Sequence, residues 1–317
     1  MRVLVLIDPP HTLRPKSDTT VAIIDELLVR EHEVYFCDLL DLWLRQEVAG
    51  ADVRLIEKAS REQAPALTYR PDVQRRPLSD FHVVLMRKDP PYDVAYHSAT
   101  LILEHARGKT LLVNDPRGLR EANEKLFTFN FSDMMAPTLV SSRIDDLRAF
   151  MAEQGGEMIV KPLDGFAGLS VFHVRESDSN TGSILETMTH HGHRWVIAQR
   201  KLDVTKKGDK RILLLDGEPL TAILRMPAQN ELRSNLALGG TAVATELTPR
   251  EREICARLKP RLRQEGLHFV GIDVIDDHLS EVNVTSPTGI QAANRLYGGR
   301  FERAVVDFLQ ARAPRFP

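Results

Sequence analysis

Runs of apolar residues mark the predicted elements at the start of the chain. A continuous apolar run at 3–7 ends at a Pro-Pro pair, which predicts a strand buried on both faces. The stretch 17–33 predicts a helix that begins at Ser17 or Asp18, because either side chain can cap a helix N-terminus. A second strand is predicted at 33–39. Strand, helix and strand in this order favour a parallel sheet.

The pattern continues to about residue 120. Two more apolar runs, at 81–87 and 110–114, flank a helical stretch at 96–108. These elements predict one open parallel α/β domain. Residues 50–80 are polar and contain three prolines, so we expect an irregular surface segment there.

Shorter elements follow from residue 123 and predict an α+β organisation. Helices are expected at 145–154, 182–191 and 248–266. Strands are expected at 157–162, 169–175, 195–199, 268–276 and 279–284, with a hairpin at 210–226 that turns at Asp216-Gly217. We expect residues 229–244 to form a long loop and Asp277-His278 to join the last two strands. The predicted domains are 1–122, 123–199 and 200–317.

Composition narrows the class of protein. The net charge of −2 argues against a surface built for nucleic acid, and no apolar run reaches the length of a membrane span. Cys37 and Cys255 lie in apolar contexts without the spacing of a zinc site or a redox motif, so we expect two buried thiols in a reducing compartment. We therefore expect a cytoplasmic protein.

Three oxygen-bearing side chains on neighbouring predicted strands could hold a metal. Glu281 and Asn283 share one strand face, because alternate residues point the same way. Asp273 lies in an apolar strand, where a carboxylate is expected to be paired or to bind metal. Such a set suits Mg²⁺. Polar outward faces of two edge strands explain the same residues, and the residues alone leave both interpretations open.

A lysine and a glycine-containing loop could bind phosphates. Lys161 ends a predicted strand and is followed by a loop with Gly165 and Gly168, whose backbone N–H groups could surround a polyphosphate. A surface hairpin with a solvated lysine is the alternative. The chain has neither the Walker A pattern nor GxGxxG. Further cations lie on separate elements: Lys125, Lys210, Arg211 and Arg225.

Seven segments point to one family. They are "MRKDPPYD" (86–93), "NEKLF" (123–127), "KPLDG" (161–165), "GDKRILLLDGEP" (208–219), "NLALGG" (235–240), "FVGIDVI" (269–275) and "EVNVTSPTGI" (281–290). In their order and spacing they resemble the prokaryotic glutathione synthetases of the ATP-grasp superfamily over essentially the whole chain. The resemblance implies an ATP-grasp fold, of class α/β and α+β, with an N-terminal open parallel α/β (pre-ATP-grasp) domain.

The resemblance also implies a reaction. The carboxylate of γ-glutamylcysteine attacks the γ-phosphate of ATP, and glycine then displaces phosphate from the acyl phosphate to give glutathione. It implies ATP and two Mg²⁺ ions as cofactors, with Mn²⁺ as an alternative ion, and a homo-oligomer up to a tetramer. Two other hypotheses remain open, an ATP-grasp ligase for a different acid and amine, and a silent nucleotide-binding protein.

Residue roles follow from the resemblance by position. Arg211 and Arg225 are the catalytic candidates. Nucleotide binding is assigned to Lys125, Lys161, Gly165, Gly168, Gln199, Arg200, Leu202 and Asp209. Metal binding is assigned to Asp273, Glu281 and Asn283. Substrate binding is assigned to Asp18, Arg233, Asn235, Ser286, Thr288 and Gly289.

Local chemistry suggests a substrate role for one of these segments. Pro287 fits the first turn of a helix with Ser286 as N-cap, so free N–H groups there could receive a substrate carboxylate. An ordinary helix cap explains the same pattern.

Some residues depart from the family pattern. The resemblance implies that the loop 163–170, the phosphate loop, closes over the nucleotide phosphates as a lid. The departures are Ala167 in this loop, Ala292 after the last motif and Arg200-Lys201 at the hinge, and they bear on lid closure, substrate choice and adenine packing. The histidines of "HHGH" at 190–193 lack a nearby Cys or carboxylate, so we do not expect a zinc site there.

Overall fold

The computed structural model describes residues 1–165, 168–229, 231 and 233–314. Within these residues the strands form three sheets. The N-terminal sheet contains β1 (Arg2–Leu6), β2 (Glu33–Cys37), β3 (Leu42–Arg45), β4 (Val48–Ala59), β5 (Leu67–Tyr69), β6 (Gln74–Pro77), β7 (Val83–Met86) and β8 (Leu111–Val113). The small sheet contains β9 (Thr138–Ser141), β10 (Glu157–Pro162), β11 (Phe172–Arg175) and β12 (Val196–Gln199). The C-terminal sheet contains β13 (Asp209–Leu215), β14 (Glu218–Met226), β15 (Thr241–Ala244), β16 (Phe269–Ile275) and β17 (His278–Asn283).

Helices cover these sheets. They are α1 (Thr19–Val29), α2 (Val94–Glu104), α3 (Pro116–Glu121), α4 (Ile144–Glu153), α5 (Thr181–Met188), α6 (Val204–Lys207), α7 (Pro249–Gln264), α8 (Ile290–Tyr297) and α9 (Glu302–Arg312). Short 3-10 helices lie at Pro10–Thr12, Leu39–Asp41, Leu78–Asp80, Leu126–Met134 and Leu236–Leu238. Asp18, one of the two predicted caps of α1, accepts a hydrogen bond from the Thr20 N–H.

The N-terminal sheet is covered on both faces, which explains the continuous apolar run at its start. β1 pairs in parallel with β2 and β7, and β7 pairs in parallel with β8. Leu4 and Leu6 belong to the core that includes α2, while Val3 and Val5 belong to the core that includes α1 and α9. The predicted parallel α/β arrangement is confirmed.

The prediction of an irregular segment at 50–80 is wrong. β4 runs through its first part and pairs antiparallel with β2, β3, β5 and β6. The buried side chains of β4 include Ala49, Ala51 and Val53, which alternate as a strand requires. Because two of them are alanines, their alternation is weak in the sequence.

The small sheet is antiparallel in the order β11-β10-β12-β9. Its core packs residues of α4 and α5, including Leu147 and Leu185, against Val160 and Val196. This helix-covered sheet matches the predicted α+β organisation.

The C-terminal sheet is antiparallel in the order β15-β14-β13-β16-β17. Its hairpin turns at Asp216-Gly217 as predicted, but the residues in left-handed backbone conformation between β16 and β17 are Asp276 and Asp277 rather than Asp277 and His278. The predicted loop 229–244 is also partly wrong, because its last four residues form β15 on the edge of the sheet.

Helix α7 packs on one face of the C-terminal sheet. Thr248 and Glu251 form a reciprocal capping box at its start, and Gly266, with φ +66°, follows its end. Its buried residues Ile254 and Leu258 belong to the same core as the sheet residues. The face of the sheet opposite α7 is therefore the one available for a site.

Both cysteines are free and buried, as predicted. Burial raises the pKa of the Cys255 thiol to about 12, and it raises the pKa of the Cys37 thiol well above its usual value. Among the described residues, no helix is both long and apolar enough to span a membrane.

Candidate active site

A cavity of about 810 Å³ lies between the small sheet and the C-terminal sheet. Loops of the N-terminal domain, with Asp8, Asp18 and Asp89, form its third wall. Every residue predicted for nucleotide, metal, substrate or catalysis lines this cavity. The structure therefore brings the predicted residues together, while their individual roles stay predictions.

One face of the C-terminal sheet carries the charges at the centre of the cavity. Arg211, Asp273 and Glu281 lie opposite one another on β13, β16 and β17, so their side chains share a face. Arg211 donates from Nε to Asp273 Oδ1 at 2.5 Å and from Nη2 to Oδ2 at 3.0 Å. This bidentate pair is nearly enclosed, since both side chains are under 10% exposed.

Gly271 makes room for this pair. A Cβ atom at this position would lie 3.0 Å from Pro287 Cβ and 3.1 Å from Arg211 Cδ. The stem of Arg211 therefore passes over a position where a side chain would crowd it. The glycine in the "VGIDV" segment is explained by close packing, as its backbone φ is not positive.

Arg225 and Asp209 extend the charged face toward β14. Arg225 Nη2 lies 3.0 Å from Asp273 Oδ1 and also donates to Asp209, which accepts a further bond of 2.8 Å from Ser234 Oγ. Burial raises the pKa of Asp209, although Arg225 acts against it. Among the described residues, Asp209 Oδ1 and Arg225 Nε are buried without a hydrogen-bond partner. These two atoms are the unsatisfied polar groups of the charged face.

Two buried lysines approach the same face from the small-sheet side. Lys161, at the end of β10, places Nζ 3.1 Å from Glu281 Oε1. Lys125 Nζ lies 3.9 Å from that oxygen and donates to the Gly165 carbonyl at 2.5 Å. Both lysines therefore lie between the phosphate loop and the carboxylates.

These cations keep the central carboxylates ionised. Burial opposes ionisation, but Arg211 and Arg225 together hold the pKa of Asp273 well below its usual range. In the same way, Lys161 and Lys125 outweigh burial and lower the pKa of Glu281. The site thus presents anionic oxygen atoms at neutral pH.

The predicted metal ligands fit a hard cation by their chemistry. Asn283 lies on the same face as Asp273 and donates to its Oδ2 at 3.2 Å, so all three predicted ligands are adjacent. Two ionised carboxylates and an amide oxygen suit Mg²⁺. The histidines at 190–193 lie in and beside the turn after α5, and in the described part of the chain no three His, Cys, Asp or Glu side chains are grouped as metal ligands.

The neighbouring cation Lys210 faces the other way. It donates to Glu251 Oε2 and to the Glu246 carbonyl, each at 2.8 Å, on the α7 side of the sheet. Of the predicted basic pair Lys210-Arg211, only Arg211 lines the cavity. Because successive residues of a strand point to opposite faces of the sheet, Lys210 and Arg211 have different surroundings.

The predicted nucleotide residues lie along the small-sheet wall. Gln199 ends β12, which pairs with β10 and β9, and Arg200 and Leu202 follow it along the cavity. Gly168 has φ +78°, and a Cβ there would lie 2.6 Å from Asn235 Oδ1. A glycine therefore lets the phosphate loop approach the loop that carries Asn235. Ala167, a predicted departure from the family, lies outside the described residues.

The predicted substrate residues fall into two groups. Arg233 and Asn235 lie beside the phosphate loop, where Arg233 Nη1 donates to the Gly168 carbonyl at 3.2 Å. The other group lies where the start of α1 meets the segment before α8 and consists of Asp18, Ser286, Thr288 and Gly289.

The predicted helix start at Ser286-Pro287 is wrong. Helix α8 begins at Ile290, after Gly289, whose φ of +141° favours glycine. The N–H groups of Gly289 and Ile290 both donate to Thr19 Oγ1, at 3.1 and 3.3 Å. Because a side chain from α1 occupies these N–H groups, they are not free to receive a substrate carboxylate.

Several cavity residues were not predicted. Glu124 accepts a hydrogen bond of 3.0 Å from Thr285 Oγ1, and burial followed by the charge of Glu281 raises its pKa. Its position beside Lys125 in "NEKLF" was a usable signal. Asp89 also lines the cavity and lies in the quoted segment "MRKDPPYD", which was a signal of the same kind. Arg14 and Arg295 line the cavity as well, and their surroundings in the sequence gave no such signal.

Ala292, another departure from the family, is explained by its surroundings. It is buried in an apolar cluster with Ile223 and Ala293, which Phe301 covers. Ala292 also lines the cavity, so a carboxylate here would lie between this apolar cluster and the cavity.

Two family models match the chain. The model of the prokaryotic glutathione synthetase N-terminal domain matches residues 1–120, and that of the prokaryotic glutathione synthetase ATP-grasp domain matches residues 124–298.

Individual proteins agree with these matches. The glutathione synthetase of Rhodopseudomonas palustris is 43% identical over 98% of this chain and 99% of its own, and that of Synechocystis sp. is 42% identical over the same shares. A RiPP-associated ATP-grasp ligase of Chryseobacterium gregarium, solved with ADP and a leader and core peptide, has a TM-score of 0.66 at 16% identity, covering 99% of this chain and 98% of that one. The last likeness shows the ATP-grasp fold.

Proposed function

Because the chain belongs to the prokaryotic glutathione synthetase family, we propose that it joins γ-glutamylcysteine to glycine in an ATP-dependent reaction that yields glutathione, ADP and phosphate. It is an ATP-grasp carboxylate–amine ligase. The observation that carries the proposal is one cavity in which the buried Lys125 and Lys161 approach Glu281, while Arg211 and Arg225 pair with Asp273 beside it.

The reaction has two steps. The cysteinyl carboxylate attacks the γ-phosphorus of ATP, the bond to the bridging oxygen of ADP breaks, and an acyl phosphate forms. The amine of glycine then adds to the acyl carbon, loses a proton, and inorganic phosphate leaves as the peptide bond forms. Phosphoryl transfer needs positioning and charge neutralisation more than a protein nucleophile, which suits a site rich in cations.

We assign each cationic side chain of the cavity to a negatively charged group of the substrates or of the intermediate. Lys125 and Lys161 contact the phosphates of ATP, because they lie between the phosphate loop and the carboxylates. Arg211 and Arg225 stabilise the transferred phosphoryl group and the tetrahedral intermediate. Both guanidinium groups are already fixed by Asp273, so little reorganisation is needed during the reaction.

The family uses ATP and a divalent metal. We propose that Asp273, Glu281 and Asn283 hold two Mg²⁺ ions, for which Mn²⁺ can substitute. When bound, the metal neutralises phosphate charge. The adjacency of the three side chains and the lowered pKa of both carboxylates support this assignment.

We assign the remaining predicted residues either to the nucleotide or to the acid and amine substrates. On the nucleotide side we assign Gly165, Gly168, Gln199, Arg200, Leu202 and Asp209. On the substrate side we assign Asp18, Arg233, Asn235, Ser286 and Thr288, with Gly289 as a wall residue whose lack of a side chain leaves room for the substrate. Their place around one cavity supports both assignments.

We propose a division into domains 1–122, 123–199 and 200–317, which separates the three sheets.

The substrates are small molecules. The net charge of −2 supports leaving nucleic acid out of the partners, and the two buried thiols support a cytoplasmic location.

We also propose a homo-oligomer, up to a tetramer. Leu40 and Val94 are 85% and 82% exposed on the turn Leu39–Asp41 and on α2, which contact each other. If the two side chains form part of one apolar patch, a protein partner would cover it. Light scattering after size-exclusion chromatography tests this, and a monomer at micromolar concentration would contradict it.

A second candidate is a ligase of the same mechanism for another acid and amine. Ala292 and the charged Arg200-Lys201 pair at the hinge favour it, because these residues line the cavity and depart from the pattern expected of the family. The mechanism assigned to the cations is unchanged in this case.

The first experiment measures ADP release from Mg-ATP with γ-glutamylcysteine, with and without glycine, beside a panel of other acids and amines. We expect release that requires both substrates and is lost in Lys161→Ala, while the exposed Lys109→Ala behaves as wild type. Release with another pair only would favour the second candidate. ATP binding without turnover over the whole panel would contradict both and support the silent nucleotide-binding hypothesis.

A further inference from the structure

Residues 284–289 join β17 to α8, and we call them the acceptor loop. Thr285, Ser286, Thr288 and Gly289 of this loop line the cavity. Toward the charged face of the C-terminal sheet, the Thr288 carbonyl accepts a hydrogen bond of 3.3 Å from Arg211 Nη1. The position of the loop is therefore tied to the same guanidinium that pairs with Asp273.

Helix α1 holds the end of this loop from the N-terminal domain. Thr19 Oγ1 accepts from the Gly289 and Ile290 N–H groups at 3.1 and 3.3 Å, and Thr19 is fully buried. Gln291 Nε2 donates to the carbonyls of Pro15 and Asp18, the latter at 2.5 Å. The first turn of α8 is thus fixed by residues about 270 positions earlier in the chain.

Arg87 holds the middle of the loop. Its Nη2 donates to the Pro287 carbonyl at 3.0 Å, and its Nε donates to Thr20 Oγ1 at 3.1 Å. The guanidinium is 5.4 Å from the centre of the Phe269 ring, and the residue is buried. One side chain therefore links the loop to the start of α1.

Asn114 holds the beginning of the loop. Its Nδ2 donates to the carbonyls of Val284 and Phe269, at 2.8 and 2.9 Å, and its Oδ1 accepts from the Phe269 N–H. Side chains of the N-terminal domain therefore bind the main chain of the loop at its beginning, middle and end.

We propose that Thr19 and Arg87 are positioning residues for the acid substrate, and this rests on the proposed function. Neither side chain lines the cavity, so each acts through the acceptor loop. By fixing that loop they set the distance between the reacting carboxylate and the phosphates. A displacement of about 1 Å in such a site can lower the rate about a hundredfold.

The test uses matched threonine variants. Thr19→Val keeps the shape but removes the oxygen that accepts from two buried N–H groups, and Thr19→Ser restores that oxygen. Thr189→Val is the control, because Thr189 is equally buried and bonds a helix carbonyl but does not line the cavity.

We expect Thr19→Val to lower kcat/KM for γ-glutamylcysteine at least about tenfold, since buried N–H groups that lose their acceptor drive a local rearrangement. The KM for ATP should stay within about twofold, Thr19→Ser should recover most of the loss, and Thr189→Val should keep wild-type kinetics. Equal losses for ATP and the acid, or no recovery in Thr19→Ser, would overturn the proposal.

Amide hydrogen exchange gives a readout that needs no substrate. Exchange at Gly289 and Ile290 should accelerate about tenfold or more in Thr19→Val and stay unchanged in Thr189→Val. Unchanged exchange at these two amides would also overturn the proposal. If Thr19→Val does not fold, Arg87→Lys serves instead, because an ammonium group cannot span Thr20 and Pro287 in the same way.

The assay of the wild-type protein tests the proposed function independently of the positioning role of Thr19 and Arg87. No turnover with γ-glutamylcysteine and glycine would contradict the proposed function alone. The variants are then compared with whichever acid the wild type accepts, and the exchange rates apply in every case.

Discussion

The two faces of the C-terminal sheet carry charged residues for different purposes. On the α7 face, Lys210 pairs with Glu251, which also accepts from the Thr248 N–H in the capping box. On the cavity face, Arg211 and Arg225 share Asp273, and two lysines converge on Glu281. The first arrangement pairs one cation with one anion, whereas the second places several cations and anions around the cavity.

This difference shows how a buried charge can be assigned to structure or to function. Lys210 and Arg211 are neighbours with nearly equal burial, so neither residue type nor exposure separates them. What separates them is whether the partner belongs to a helix that the charge stabilises or to a cavity. The comparison can be tested by paired substitutions on the two faces.

The largest effect is expected for Asp273→Asn. Loss of this carboxylate should lower kcat about a thousandfold or more, because it removes a proposed metal ligand and the fixed partner of two guanidinium groups. Steady-state ADP release measures the effect. On the other face, Glu251→Gln should keep kcat within about threefold. A similar loss of kcat in both variants would remove the distinction between the faces.

A smaller effect on rate is expected for Arg211→Met, which should lower kcat about a hundredfold, as for loss of one preorganised donor. Lys210→Met should leave kcat nearly unchanged but lower the free energy of unfolding by about 3 kcal/mol, because it leaves the buried Glu251 without its cation. Urea unfolding and steady-state kinetics are measured on both. If Lys210→Met instead reduced kcat as strongly as Arg211→Met, position on the sheet would not decide the role.

The smallest effect is expected for Thr248→Ala. It removes the N-cap of α7 and should lower the free energy of unfolding by about 1 kcal/mol, with kcat and both KM values unchanged. Thermal unfolding measures the loss, and the exposed Thr68→Ala serves as control. A change in KM for ATP in Thr248→Ala would indicate that the α7 face influences the cavity.

The sequence predicted those parts of the fold that local patterns determine. The run at 3–7 has side chains on both faces of β1 packed into apolar cores, so its continuous hydrophobicity was a direct signal. The strands of Asp273 and Glu281 also followed from local pattern, and their pairing placed the two carboxylates opposite each other.

Other features depend on distant residues and could not be predicted. Ser286-Pro287 has the local chemistry of a helix start, but α8 begins after Gly289 because Thr19 supplies the cap from the other end of the chain. β4 was missed because several of its buried residues are Ala or Gly, which give a weak hydrophobic pattern, and because it pairs with β2, which lies earlier in the chain. The cavity residues Arg14 and Arg295 come together only through the tertiary fold.

The buried cysteines have a consequence for an enzyme whose acid substrate and product are both thiols. Exchange with a disulfide requires an accessible thiolate. Cys37 and Cys255 are at most 1% exposed, and the high pKa of each keeps it protonated at neutral pH. The oxidised forms of its own substrate and product therefore find no accessible thiolate on the folded protein with which to form a mixed disulfide.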